Sequence, residues 1–361
     1  MAEREPASTL TIQSHRGPYV VEFDRQPFAQ LAREPASSCH FIIDAKLAAL
    51  YRTELEPTLS SPSVLLLDAD ERSKTLNRFT TYVEHFIARG VRRNHKLVAI
   101  GGGIIQDVTA FIASTLLRGL NWEFYPTTLL AQADSCIGSK SSINVGNAKN
   151  MMGTFRPPAK VFISMAVLST LEEHDIRSGV GEMLKVHAIS GPGDFDRIAQ
   201  DYSRILEDSG CMERYIHRSL ELKKVLIEQD EFDTGVRNVM NYGHSFGHAI
   251  EAATHFGVPH GIAVTIGMDM ANYVATRLER MSDDHFRRMH GVLKANARGY
   301  TDTHIPMPEF HAAIGKDKKN VGSQLTLILP NGAAKIEKAV VDGDERFRSA
   351  CQDYVDYVRR S

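Results

Sequence analysis

The sequence is short of the features that mark several protein classes. Its 361 residues hold four cysteines, Cys39, Cys136, Cys211 and Cys351, widely spaced and without a CxxC pair. That argues against a disulfide framework or a thiolate zinc site, and it fits a reducing cytoplasm. No apolar run approaches the roughly 18 residues that span a bilayer. The opening segment MAEREPASTLTIQS is polar and lacks the apolar core of a secretory signal. Neither sign of charge dominates: 42 Lys+Arg against 44 Asp+Glu leave a formal charge of -2. Nothing global therefore points to nucleic acid or an anionic membrane, which leaves only a local basic pocket open. There is no evident repeat, low-complexity tract or long linker. Hydrophobic residues at 43% and charged residues at 24% are ordinary globular values. At roughly 100–200 residues per domain, the length suits two cores.

Two regimes divide the chain. In the first, short apolar runs (Cys39–Ile43, Ser63–Leu67, Lys96–Ile100, Trp122–Tyr125, Val161–Ser164) alternate with helical periodicity such as Lys74–Ala88. That alternation predicts a Rossmann-like α/β domain with a parallel sheet over residues 1–170. From Thr170 onward the patterns are helical: Thr170–His187, Gly193–Asp208, Met212–Glu228, Asn238–Ala253, Gly261–Glu279 and Asp283–Ala297. A β-like pair, Gln324–Leu329 and Ala334–Val340, closes a mainly α-helical domain over 171–361.

Four segments carry chemistry. The first is GGGIIQD, Gly101–Asp107, which follows the strand LVAI, so Gly101, Gly102 and Gly103 form a turn where doubly wound sheets bind nucleotides. Lacking GxGxxG spacing, the turn divides evenly between a pyrophosphate loop and a merely tight connection. The second, Pro126–Asn150, is a Gly-, Ser- and Asn-rich segment predicted as a loop, with Asp134, Lys140, Lys149 and Asn150. Its lysines suit phosphate, or they are surface residues. The third, Asn241–Gly261, places His244 and His248 four apart on one helix face, with His260 after a turn. Glu182 precedes Lys185 by three residues on another helix. Histidines with one carboxylate suit zinc with an open position, and spacing alone favours His244 and His248 as the chelating pair. In the fourth, Lys223–Arg237, a basic residue suits a substrate carboxylate as well as it suits a surface ion pair with Glu228, Asp230 or Glu231. DKKN, Asp317–Asn320, is a weaker basic signal.

Together and in order, these segments resemble the sugar phosphate cyclases, most closely the 3-dehydroquinate synthases. The likeness runs from about Asp44 to Leu329, through GGG-x-x-x-D, STLLRG, PTTLLA, IGSK…KN, GExxK, RNxxNxGHSxGHAxE, HG and DKK. It implies NAD held by Asp44, Glu71, Lys74, Gly101–Gly103, Asp107, Thr127, Thr128 and Thr170. It implies Zn, or Co, on Glu182, His244 and His260, which gives His248 to the substrate phosphate rather than to the metal. Lys140, Asn150, Asn241 and one of Lys318 and Lys319 would also face phosphate. Arg118 would reach the phosphate of a neighbouring subunit in a homodimer. Asp134, Lys149 and Lys185 would contact substrate hydroxyls or cofactor, and Lys223 and Arg237 the substrate carboxylate. The implied reaction oxidises a hydroxyl of a seven-carbon phosphorylated keto acid, eliminates phosphate, reduces the ketone again and closes the ring by an aldol step.

The sequence departs from that pattern at Gln106, Ser139, Ala148, Gly181 and Ile262, where the relatives usually carry Gly, Gly, Gly, Ala and Glu. None of these removes an implied ligand. They leave room for another cyclase substrate, such as an amino analogue or sedoheptulose 7-phosphate. A polyol dehydrogenase of the glycerol dehydrogenase type shares the GGG turn and the histidine layout, but has no use for so many phosphate-binding lysines.

Overall fold

The computed structural model describes residues 9–316 and 324–360, apart from 27, 29, 32–36, 147 and 333. They divide between two compact units, Met1–Leu171 with Lys224–Phe232, and Glu172–Lys223 with Asp233–Ser361. The expected division kept 224–232 with the second part. Here that segment belongs with the first unit, where Glu228 and Glu231 accept hydrogen bonds from the backbone N–H of Gln13 and His15.

The first unit is built on strands β1 (Thr9–Ile12), β2 (Tyr19–Phe23), β3 (Cys39–Asp44), β4 (Val64–Leu67), β5 (Lys96–Gly101) and β6 (Asn121–Pro126). A separate hairpin, β7 (Ile143–Val145) and β8 (Ala148–Met152), precedes β9 (Lys160–Ile163). The main sheet runs β1-β2-β9-β6-β5-β3-β4. All its pairings are parallel except β1 with β2 at the edge. β3 and β5 are buried almost throughout, which explains why they read as continuous apolar runs rather than alternating ones. The connecting helices are α1 (Ala45–Leu50), α2 (Arg52–Leu59), α3 (Leu76–Ala88) and α4 (Gly103–Thr115). Phe79, Tyr82 and Phe86 form the buried stripe of α3. Within 126–150, predicted as a loop, the chain forms a π-helix at Ala131–Ser135 and the β7–β8 hairpin, so the segment is largely regular.

The second unit holds α5 (Glu173–Ser190), α6 (Pro192–Gln200), α7 (Tyr202–Glu207) and α8 (Ser209–Gln229) as far as Lys223. It continues through α9 (His244–Ala253), α10 (His260–Arg277), α11 (Asp283–Asn296), α12 (Met307–Gly315), the antiparallel pair β10 (Gln324–Pro330) and β11 (Ile336–Asp342), and α13 (Glu345–Asp356). α10 is buried over nearly its whole length and packs against α5, α9, α11 and α13. Asp269 at its centre accepts hydrogen bonds from His290 and Tyr354, each at 2.8 Å, which ties α10 to α11 and α13. Two helices expected as continuous are broken. Gly193–Asp208 is interrupted at Asp201, between α6 and α7. Asn238–Ala253 is a 3-10 turn, Val236–Asn241, followed by α9, because Gly243 takes φ +76 between them. The helical periodicity runs through Gly243, and only its backbone freedom reveals the break.

Candidate functional site

In the first unit, the residues expected to hold a nucleotide collect at the carboxyl ends of the parallel strands. Asp44 ends β3 and caps α1, accepting a hydrogen bond from Lys46 N at 2.9 Å. Burial pushes its carboxyl upward, partly offset by those amide donors. The register sets Gly101 beside Pro126, and Thr127 N donates to Gly101 O at 3.0 Å. Gly102 has extended backbone, so it is space and not dihedral freedom that favours glycine. A methyl there would lie 3.0 Å from Thr128 Cγ2. Thr170 lies in the 3-10 turn after β9, where its hydroxyl bonds Val167 O at 3.1 Å.

In the same unit, five expected residues share one network, in which Lys74 is buried. Lys74 Nζ lies 2.9 Å from Asp107 Oδ2 and 3.1 Å from Asn150 Oδ1, and Lys149 Nζ lies 3.4 Å from Glu71 Oε1. Two residues that the sequence did not single out join these pairs. Ser142 donates through its N–H and hydroxyl to Asp107, and Asn144 bonds both Glu71 and the backbone N–H of Asn150. Burial raises the Asp107 carboxyl, against Lys74 and Ser142. Asn150 sits at φ +55, a left-handed position that asparagine tolerates.

The second unit gathers the expected metal ligands from three helices. Glu182 comes from the middle of α5, while His244 and His260 open α9 and α10. Close backbone approach makes this possible, since a methyl at Gly181 would fall well inside contact distance of Gly261 O and Thr265 Oγ1. Gly261 lies equally tight on Ser178 O. Glu182 Oε1 is 3.7 Å from His244 Nε2 and 3.4 Å from His260 Nε2. It is buried and accepts no well-aligned hydrogen bond. Its other oxygen meets Lys185 Nζ at 2.5 Å. Burial opposes the charge on Glu182, but Lys185 and the two imidazoles hold the carboxyl well below its usual range. Burial and Lys185 push His244 down. Burial also disfavours charge on His260, yet Glu182 and Glu251 outweigh it and raise the imidazole to about 10.

His248 adds a third imidazole, and donor atoms of His244, His248 and His260 all lie within 4.8 Å of one another. The spacing-based pair and the resemblance-based set thus fall in one cluster. Glu251, the last residue of the GHSxGHAxE motif but given no role from sequence, stands 3.3 Å from His260 Nδ1. The signal for it was its place two turns beyond His244 on the same helix. A carboxylate on the far nitrogen fixes ring orientation and tautomer for a metal on Nε2. One carboxylate oxygen and two or three imidazoles form a borderline donor set that fits Zn or Co.

Lys223 and Arg237 are buried in the second unit, Arg237 on the 3-10 turn that packs against α5. Asn241 ends that turn, its amide donating to Asn238 O at 3.1 Å. Asp134 sits on the π-helix of the first unit, and Lys140 is exposed beyond it. Arg118 is exposed in a turn where Leu117, Arg118 and Gly119 all take positive φ. Lys318 and Lys319 lie outside the described residues.

Comparison with known proteins adds a second line. The sequence pattern of the N-terminal part of 3-dehydroquinate synthase matches residues 64–178, and that of the C-terminal part matches 179–320. The 3-dehydroquinate synthase of Dictyoglomus thermophilum is 33% identical over 331 residues, covering 91% of this chain and 92% of that one. That of a Thermoanaerobacter species is 32% identical over 349 residues, covering 93% and 98%. Among solved structures, a 2-deoxy-scyllo-inosose synthase complexed with carbaglucose-6-phosphate, NAD+ and Co2+ superposes with a TM-score of 0.84 at 23% identity, covering 96% and 99%. The 2-epi-5-epi-valiolone synthase of Streptomyces hygroscopicus, with NAD+ and Zn2+ bound, gives 0.82 at 24%, covering 95% and 97%. An iron-containing alcohol dehydrogenase shares the fold more distantly, at 0.62 and 12%.

Proposed function

The chain belongs to the 3-dehydroquinate synthase family, and on that premise we propose that it is an NAD- and divalent-metal-dependent cyclase that makes 3-dehydroquinate from a seven-carbon phosphorylated keto acid. The observation that carries this reading is Glu182 Oε1, buried, without an aligned donor and facing two imidazole nitrogens. A buried carboxylate oxygen so placed is costly unless a cation completes it. When bound, the metal supplies Lewis acidity at a substrate oxygen, and NAD supplies reversible hydride transfer.

The chain's own residues do the rest. Lys185 keeps Glu182 ionised and presents positive charge where oxyanion character develops. Glu251 orients His260. His248, exposed beside both metal-ligand histidines, donates to the substrate phosphate as it leaves. Arg237 and Lys223 grip the substrate carboxylate, with Arg237 suited to a bidentate fork. Asn241, Lys140 and Asn150 assist at the phosphate, and Asp134 and Lys149 at the hydroxyls. The amides of the Gly101–Gly103 turn and the first turn of α4 receive the dinucleotide pyrophosphate. Arg118, held in a strained left-handed turn, serves the phosphate of a neighbouring subunit in a homodimer.

The test supplies NAD, Zn2+ and the keto acid, and follows phosphate release and NADH absorbance together. Phosphate release without net NADH supports the cyclase. Accumulating NADH overturns it in favour of a polyol dehydrogenase. Faster phosphate release from sedoheptulose 7-phosphate overturns the substrate assignment alone.

A further inference from the structure

The π-helix that carries Asp134 is held at both ends by glutamine side chains. At one end, Gln132 Nε2 donates to Pro126 O at 3.0 Å and Ser164 O at 2.9 Å, pinning the turn to the ends of β6 and β9. At the other, Gln106 reaches over from α4. Its Nε2 donates to Ser135 O at 2.6 Å, and the Ser135 hydroxyl donates to Gln106 Oε1 at 2.6 Å. Ser135 closes the π-helix, whose i+5 bond runs from Cys136 N to Ala131 O at 2.9 Å. The terminal carbonyls of a helix have no intrahelical partner. One buried amide therefore satisfies a terminal carbonyl and fixes the adjacent hydroxyl in the same contact.

Gln106 is only 6% exposed, so few alternative partners compete for it. It also lies one turn into α4, whose first residue is Gly103. The clamp thus joins the helix that opens on the glycine turn to the turn that presents Asp134.

The geometry points to Gln106 as a positioning residue that sets Asp134 against the glycine turn. This rests on the functional reading above, in which Asp134 contacts the substrate. In this role Gln106 acts through Ser135, which it holds by two hydrogen bonds.

Gln106→Met keeps the side-chain volume and removes both hydrogen bonds. Hydrogen exchange on the full-length protein reads the clamp without reference to activity. The amides of residues 131–136 are expected to exchange faster in Gln106→Met, with those of α4 unchanged. Unaltered exchange at 131–136 overturns the clamp. The kinetic arm is a double-mutant cycle with Asp134→Asn, scored by phosphate release from the seven-carbon keto acid. Gln106→Met should lower kcat/KM roughly five- to tenfold in the wild-type background, the range for losing one or two buried hydrogen bonds. It should lower it less than about twofold in the Asp134→Asn background, with NAD affinity unchanged in both. Equal losses in the two backgrounds overturn action through Asp134. Full activity in Asp134→Asn itself contradicts the functional reading of that residue, and leaves the exchange result to decide the clamp alone.

Discussion

Replacing Glu251 by glutamine removes a negative charge from His260 Nδ1 while leaving an acceptor in place. Such a partner typically sets metal affinity within 10–100-fold, so Glu251→Gln should weaken Zn2+ binding by about that factor in a competition titration. His244→Ala should abolish it, and His248→Ala should retain metal while losing turnover. Retained metal in His244→Ala removes that residue from the ligand set. Another single residue, His187, fixes a pH dependence. Its ring bonds Met183 O at 2.8 Å, its second nitrogen is buried without a partner, and burial lowers it to about 4. The unfolded chain binds this proton near pH 6.5, the folded chain only near 4, so the unfolded state gains protons first as pH falls. Stability from His187 is therefore complete above about 6.5 and shrinks toward 4, by up to about 3 kcal/mol. His187→Phe should flatten the fall in Tm over that window. At this scale the sequence was informative where a residue type has few other uses, as with a histidine trio beside glycines. It gave no role to Glu251, Ser142 or Asn144, because a carboxylate, hydroxyl or amide of that kind acquires meaning only from the partner that the fold brings to it.

The helices of the second unit meet through glycines, and this gives a local departure from the usual family pattern a physical consequence. Gly181, where the relatives usually carry alanine, lies against Gly261 O and Thr265 Oγ1. Gly181→Ala should force α5 from α10 and carry Glu182 away from His260. The expected outcome is a lower Tm, by an overpacking cost of roughly 1–3 kcal/mol, together with weakened Zn2+ binding. An unchanged Tm and metal affinity would show that the two helices separate without cost. Gly102→Val should likewise abolish NAD binding through its contact with Thr128 and leave α5–α13 folded, as read by NAD titration and circular dichroism. The elements that were legible are the ones with a strong period. β3 and β5 are apolar on both faces, and α3 has a clear stripe. β1 and β2 pass unnoticed because four and five residues of alternating burial leave too little pattern. β8, exposed along its length, carries no burial signal at all. The break at Gly243 is equally invisible, since a glycine at φ +76 and one inside a helix look the same in sequence.

At the scale of the molecule, Asp134 and the nucleotide turn belong to the first unit and the metal cluster to the second. The role proposed for Arg118 involves a second copy of the chain. It is exposed, and its turn places two consecutive non-glycine residues at φ +53 and +66. Backbone strain of this kind persists where the surrounding structure holds it, as it also does at His255 and Phe256. If Arg118 serves a neighbour's phosphate, it and His244 of the same chain belong to different active sites. Arg118→Ala and His244→Ala should each be nearly inactive alone. Mixed one to one and allowed to exchange, they form hybrids in which one site takes its arginine from the His244→Ala chain and its histidine from the Arg118→Ala chain. With half of the dimers hybrid and one of two sites intact in each, phosphate release should recover to about a quarter of the wild-type rate, as two-fold symmetry dictates. Were Arg118 to act within its own subunit, every hybrid would hold two damaged sites and nothing would return. The same null result, with exchange between subunits demonstrated by mass, would remove Arg118 from the neighbouring site while leaving the metal cluster and the cofactor turn as proposed.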